Sequence, residues 1–208
     1  RDHAVEERER SLKKLRTSLE TTVGAIAATL EIRDPYTAGH ERRVAELATA
    51  IAREMGLPQA QVEGIHFGAL IHDLGKIKVP AEILSKPTTL TRNEFELVKE
   101  HAQSGYDILK GIEFPWPVAE MALEHHERVN GSGYPHGLKG HEMKIESRIL
   151  AVADVVEAMA SHRPYRPALG IELALAEILA HRGTLYDTDA VNACVRLYKE
   201  KGFTPSSN

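Results

Sequence analysis

Apolar residues at three-to-four spacing, broken by proline and glycine and almost never alternating, constrain this chain more than any other feature. Segments near 38–55, 59–74, 91–110, 115–127, 144–162, 170–182 and 187–201 carry that spacing, which puts one apolar stripe on each of a series of helices. The expectation is an all-α bundle. Thr91 with Glu94, just ahead of Phe95, Leu97 and Val98, is the signature of a reciprocal helix cap. Gly56-Leu57-Pro58 and Gly202 read as helix stops. The glycine-rich stretch from Asn130 to Gly140, "NGSGYPHGLKG", cannot be a regular element, and loops of that length usually exist for a reason of function.

The first thirty residues differ from the rest. No proline occurs from Ala4 to about Leu30, while Val5, Leu12, Leu19 and Ile26 recur every seven residues with Leu15 at the complementary position. That pattern reads as a coiled-coil-like helix, interrupted by Arg8, Thr22 and Thr29 on the other seam. Dimerisation through this helix is favoured over its packing on the chain's own body. The expected division is 1–30, an N-terminal signalling helix, and 31–208, one domain; 208 residues suit that size. The start at Arg1 fits an upstream sensor or receiver domain.

Charge and cysteine usage exclude some classes. With 26 Lys and Arg against 30 Asp and Glu, no polyanion such as DNA is expected as a partner. No apolar run approaches the roughly 20 residues that cross a bilayer. The single Cys194 can make neither an internal disulfide nor a thiolate zinc site, so a cytoplasmic location is expected.

Histidine is in excess, with eleven residues. His72 and Asp73 close the apolar segment "IHFGALIHDLGK". Neighbours on a helix point about 100° apart, yet both can serve one cluster if the imidazole binds one ion and the carboxylate bridges to a second. His125 and His126 form another doublet just before the glycine-rich loop. Asp154 lies among Ala151, Val152, Ala153, Val155 and Val156, surroundings that hold a charge only when it is paired or metal-bound. An arginine partner or a solvent-facing position is the alternative. His101 and His40, each taken alone, read as structural histidines; their weight comes from the company they keep. His3, His66, His136, His141, His162 and His181 are set aside as non-ligands.

These residues carry a resemblance. "YTAGHERRVA", "HDLGKIKVP", the helix around His101, "HHERVNGSGYPHGLKG", "RILAVADVVEAM" and "SHRPYRPA" occur in the order seen in the HD-GYP class of bacterial phosphodiesterases, a branch of the HD metal-hydrolase superfamily, and the chain resembles that class from about Tyr36 to Arg166. The resemblance implies an HD-type helical bundle. It also implies His40, His72, Asp73 and Asp154 at one metal and Asp73, His101, His125 and His126 at the other, with Asp73 as bridge. Some members hold a third ion with a glutamate four residues before the first histidine; here that position is Tyr36, a poor ligand at neutral pH, so two ions are expected. Histidine-rich ligation disfavours magnesium and calcium and suits transition metals, with iron or manganese ahead of nickel, cobalt and zinc.

The implied reaction is hydrolysis of cyclic di-GMP to pGpG, and onward to GMP, by in-line attack of a metal-bridging hydroxide. Lys76 is expected to stabilise the phosphorane or donate to the leaving oxygen, against a reading as a solvated lysine at a helix end. Arg163 and Arg166 in "RPYR" are expected to clamp the second phosphate, and Gly133 and Tyr134 to border the substrate, Tyr134 by stacking on a base. The same loop is an expected contact surface for partner proteins. Asn130 and Glu157 depart from the family's usual aspartates without removing a ligand. Two other readings are a generic HD nucleotide phosphohydrolase, which needs neither "GYP" nor "RPYR", and a receptor or scaffold that keeps the pocket without turnover.

Overall fold

Helix ends fall where local chemistry puts them. At Thr91 the hydroxyl accepts from the Glu94 amide at 3.3 Å while the Thr91 amide donates to the Glu94 carboxylate at 2.7 Å, closing the reciprocal cap read from the sequence. Asp187 accepts from the amides of Asp189 and Ala190, both at 3.0 Å. Pro58 and Pro117 stand at N-caps, where a missing N–H costs nothing.

The computed structural model describes residues 2–33, 39–161 and 169–206. They form α1 (Asp2–Arg33), α2 (His40–Glu54), α3 (Gln59–Ile71), a 3-10 helix (Leu74–Lys78), α4 (Ala81–Leu84), α5 (Arg92–Leu109), α6 (Val118–Glu124), α7 (Ile145–Ala160), α8 (Ile171–Ala180) and α9 (Thr188–Lys199). No strand occurs among the described residues, only isolated bridges at Asn130–Lys139 and Arg182–Tyr186. The all-α expectation holds. The segment expected over 59–74 stops at Ile71 and tightens into the 3-10 helix, and α6 is shorter than its expected 115–127, since it starts only after Pro117, its N-cap.

Two apolar clusters hold these elements. The larger gathers Val44, Leu47 and Ile51 of α2, Ile65 of α3, Ile149 and Leu150 of α7, Leu175 and Ile178 of α8 and Val191 of α9. Each such side chain contributes about 1.5–3 kcal/mol on burial. The smaller joins Phe67 and Ile71 of α3 to Leu109 of α5, Val118 of α6 and Val23 of α1. In α1 the buried residues are Val23, Ala27 and Leu30, with Leu19 partly covered, whereas Leu15 is 68% exposed. The face that packs on the chain's own body is therefore not the heptad stripe: of that stripe Leu19 is partly covered, while Leu15 and Ile26, the latter 37% exposed, face away from the core. The side chains of Val5 and Leu12 lie outside the described ones. No helix among the described residues is long and apolar enough to cross a membrane.

Candidate metal centre

Three helix termini and two helix interiors converge on one point. His40 is the first residue of α2, His72 the C-cap of α3 with Asp73 just beyond, and His125 the C-cap of α6 with His126 just beyond. His101 and Asp154 come from the interiors of α5 and α7. A helix end lets consecutive residues leave the helical path, so both members of each doublet turn inward. The turn after Asp73 also needs a glycine: a Cβ on Gly75 would sit 1.8 Å from the His101 carbonyl oxygen, so only glycine lets the 3-10 helix abut α5 and bring Asp73 to His101.

Ligand atoms of Asp73, His101, His125 and His126 lie within 4.8 Å of one another, as do those of His40, Glu41, His72 and Asp73. Asp73 belongs to both sets. Its Oδ1 is 3.2 Å from His101 Nε2 and 3.7 Å from His125 Nε2, while its Oδ2 is 3.8 Å from His72 Nε2 and 2.5 Å from the Lys76 ammonium. Asp154 is buried with its Oδ1 3.2 Å from His40 Nε2 and 3.9 Å from His72 Nε2. Its neighbours among the described residues are thus imidazoles rather than the alternative arginine.

Ring orientation is fixed from behind. Nδ1 of His72, His101 and His125 donates to the carbonyl three residues earlier, at 2.7, 2.6 and 2.8 Å, which leaves Nε2 as the nitrogen facing the centre. His72 Nδ1 is also 3.0 Å from Glu41 Oε2, and His40 Nδ1 bonds Glu157, whose carboxylate also takes Arg43 Nε at 2.7 Å and Ser161 Oγ at 2.6 Å. His72 Nε2 is buried and makes no hydrogen bond. A buried ring nitrogen facing two carboxylate oxygens beyond hydrogen-bond reach fits a cation better than it fits a packed core, and the mixed imidazole and carboxylate donors fit a divalent transition metal.

The two halves differ electrostatically. Burial favours neutral His40, but Asp154 and Glu157 outweigh it and raise its pKa to about 9. Burial likewise opposes charge on His72, and Glu41 and Asp73 raise it to about 10. His125 is pushed down to about 3 by burial and by His72 and His101, and burial with His125 and His101 holds His126 well below the usual range. Burial would raise Asp73, yet Lys76 and His72 hold it well below the carboxylate range; His40 does the same for Asp154. The acids around His40 and His72 thus favour positive charge in their half, while burial disfavours it at His125 and His126.

A cleft of about 360 Å³ opens over the cluster, with Lys76 in its polar lining and Phe95, Val98, Val155, Ala158 and Met159 as apolar walls. Tyr134 also lines it, its ring stacked on that of His126 with centroids 4.7 Å apart. Gly133 stands behind that wall: a Cβ there would fall 2.4 Å from Glu127 Cα. Arg163, Arg166 and Tyr36 lie outside the described residues. Glu41 and Glu127, two buried acids around the centre, lie within the motifs of His40 and of His125 and His126 but are given no role by the sequence alone.

Comparison with known proteins places the chain in a family. A family model described as HD domain matches residues 24–190. The chain is 41% identical over 194 residues to the cyclic di-GMP phosphodiesterase response regulator RpfG of Xanthomonas campestris pv. campestris (strain 8004), spanning 92% of this chain and 49% of that protein. It is 46% identical over 172 residues to a cyclic di-GMP phosphodiesterase of Thermotoga maritima, spanning 82% and 47%. The chain thus spans about half the length of these curated relatives. Among solved structures, the cyclic GMP-AMP specific phosphodiesterase V-cGAP3 of V. cholerae superposes with a TM-score of 0.58 at 32% identity, over 89% of this chain and 42% of that one.

Proposed function

The chain belongs to the HD domain family, in its HD-GYP branch, and from that premise we propose that it is a metal-dependent phosphodiesterase that opens cyclic di-GMP to pGpG and carries it on to GMP. The observation that carries the reading is Asp73, whose two oxygens face different imidazole groups. That is the disposition a bridging ligand between two ions needs. His40, His72, Asp73 and Asp154 would hold one ion, and Asp73, His101, His125 and His126 the other, with iron or manganese favoured and nickel, cobalt or zinc as substitutes.

Two divalent ions, when bound, supply a water of near-neutral pKa and positive charge for the phosphoryl oxygens. The chain's own part is placement. Glu157 and the three backbone carbonyls keep Nε2 of His40, His72, His101 and His125 aimed inward. Lys76, 20% exposed on the cleft and at Asp73, brings a cation to the side where charge develops on phosphate, and a proton for the leaving oxygen. The apolar walls around Phe95 and Met159 offer faces rather than hydrogen bonds to a base. They read shape, which favours acceptance of cyclic GMP-AMP as a second substrate, the ligand named for the V. cholerae relative.

Anaerobically metal-loaded protein incubated with cyclic di-GMP is expected to release pGpG, read by chromatography. Binding without cleavage would install the receptor reading instead, and cleavage of mononucleotides alone would install the generic phosphohydrolase.

A further inference from the structure

Four of the five imidazoles at the centre have Nδ1 tied down by a carbonyl or by Glu157. His126 has no ring hydrogen bond among the described residues. It stands beyond His125, the C-cap of α6. Three rings lie against it: His125 at 4.0 Å and 44°, His101 at 5.0 Å and 84°, and Tyr134 at 4.7 Å and 28°, the one nearest to parallel and the one outside the ligand set. Stacking at that spacing fixes a ring's plane, but only if the loop carrying Tyr134 is itself held.

Glu127 holds it. Its carboxylate, 1% exposed, accepts three consecutive loop amides: Oε1 takes His136 at 2.7 Å and Gly137 at 3.1 Å, and Oε2 takes Leu138 at 3.0 Å. A carboxylate is buried at heavy cost unless both oxygens are satisfied, and here they are, by charge-assisted bonds. The Tyr134 amide donates to the His126 carbonyl at 3.3 Å. Gly133 lets the loop lie directly on the main chain of 126–128, a contact any Cβ would break.

We infer that Glu127 and Tyr134 are positioning residues for His126: the glutamate pins the glycine-rich loop, and the tyrosine on that loop sets the imidazole's plane toward one of the two ion positions. The inference rests on the reading of His126 as a ligand. It gives the loop a task that precedes any contact with substrate.

The test uses the full chain, stripped of metal and titrated with Mn²⁺, with free ion read by electron paramagnetic resonance and loop amides followed by hydrogen exchange. Glu127→Gln keeps the shape but turns an N–H₂ toward amide donors. Tyr134→Leu removes the stack, and Tyr134→Phe keeps it. Wild type and Tyr134→Phe are expected to bind two ions alike. Glu127→Gln and Tyr134→Leu should hold one ion unchanged and bind the other about tenfold more weakly, the usual cost of losing an outer partner of a ligand. Only Glu127→Gln should speed exchange at 136–138. Unchanged affinity for both ions in Tyr134→Leu, or equal weakening of both ions in either variant, overturns the inference while leaving the dinuclear reading intact. Fewer than two ions in the wild type overturns both. Should Glu127→Gln fail to fold, the contrast between Tyr134→Leu and Tyr134→Phe decides alone.

Discussion

At the scale of single residues the centre separates ligands from helpers. Asp73 serves both sets through different oxygens, so Asp73→Ala is expected to lose both ions. Lys76 touches Asp73 without belonging to either set; Lys76→Ala should keep both ions and lower kcat by about 10²–10³, the loss seen on removing one charge-stabilising donor. Elemental analysis beside steady-state rates checks the pair, and metal loss from Lys76→Ala would overturn its role. The seven expected ligands were named through the order of the family's motifs; by themselves only the two doublets and Asp154 stood out, and the structure gathers all seven around one point. Glu41, Glu127 and Glu157 were harder to see, since acids number 30 in this chain and burial leaves no periodic mark on one of them. For Glu127 a faint signal existed: three successive amides in a tight loop need an acceptor, and the acid between the doublet and the loop is at hand. Asn130 shows why its departure is tolerated, as its side-chain oxygen accepts from the Ser132 amide at 3.0 Å and so makes the turn an aspartate would make.

Among elements, α5 shows how local chemistry reaches the centre. It is started by the Thr91 cap and delivers His101 three turns later. Thr91→Ala should cost about 1 kcal/mol in denaturant unfolding. The cap also carries a pH dependence. Lys86 and the Thr91 amide and hydroxyl lower Glu94 from its ordinary 4.5 to about 2, so its folded state favours the ionised form. That support is complete above about 4.5 and is lost as pH falls from there to about 2. Unfolding midpoints at pH 6 and pH 3 should therefore differ less in Glu94→Gln than in the wild type. Helix positions were readable because period and caps agree, whereas α4 and the 3-10 helix were not, being too short to show a period.

For the whole molecule the open matter is what the long first helix does. Its last turns cover the smaller cluster, so Val23→Ala should lower stability by about 2 kcal/mol. Its earlier turns run past the body with Leu15 bare, which supports the proposal of a homodimer through residues 4–30. A chain starting at Thr21 is expected to sediment as a monomer where the full chain is a dimer; an unchanged oligomeric state would count against it. The relatives' greater length accords with an upstream sensor or receiver, proposed here as the source of the signal. The heptad pattern marked Leu15 and Ile26, which are exposed, and missed the face of Val23, Ala27 and Leu30 that packs on the body, because alanine adds little to an apolar stripe.

Val23 shares its cluster with Ile71, and Ile71 is followed at once by His72. A twist delivered along α1 from outside would thus reach the cluster that holds the residue next to His72. The helix is a handle on the chemistry as much as a cover over the core.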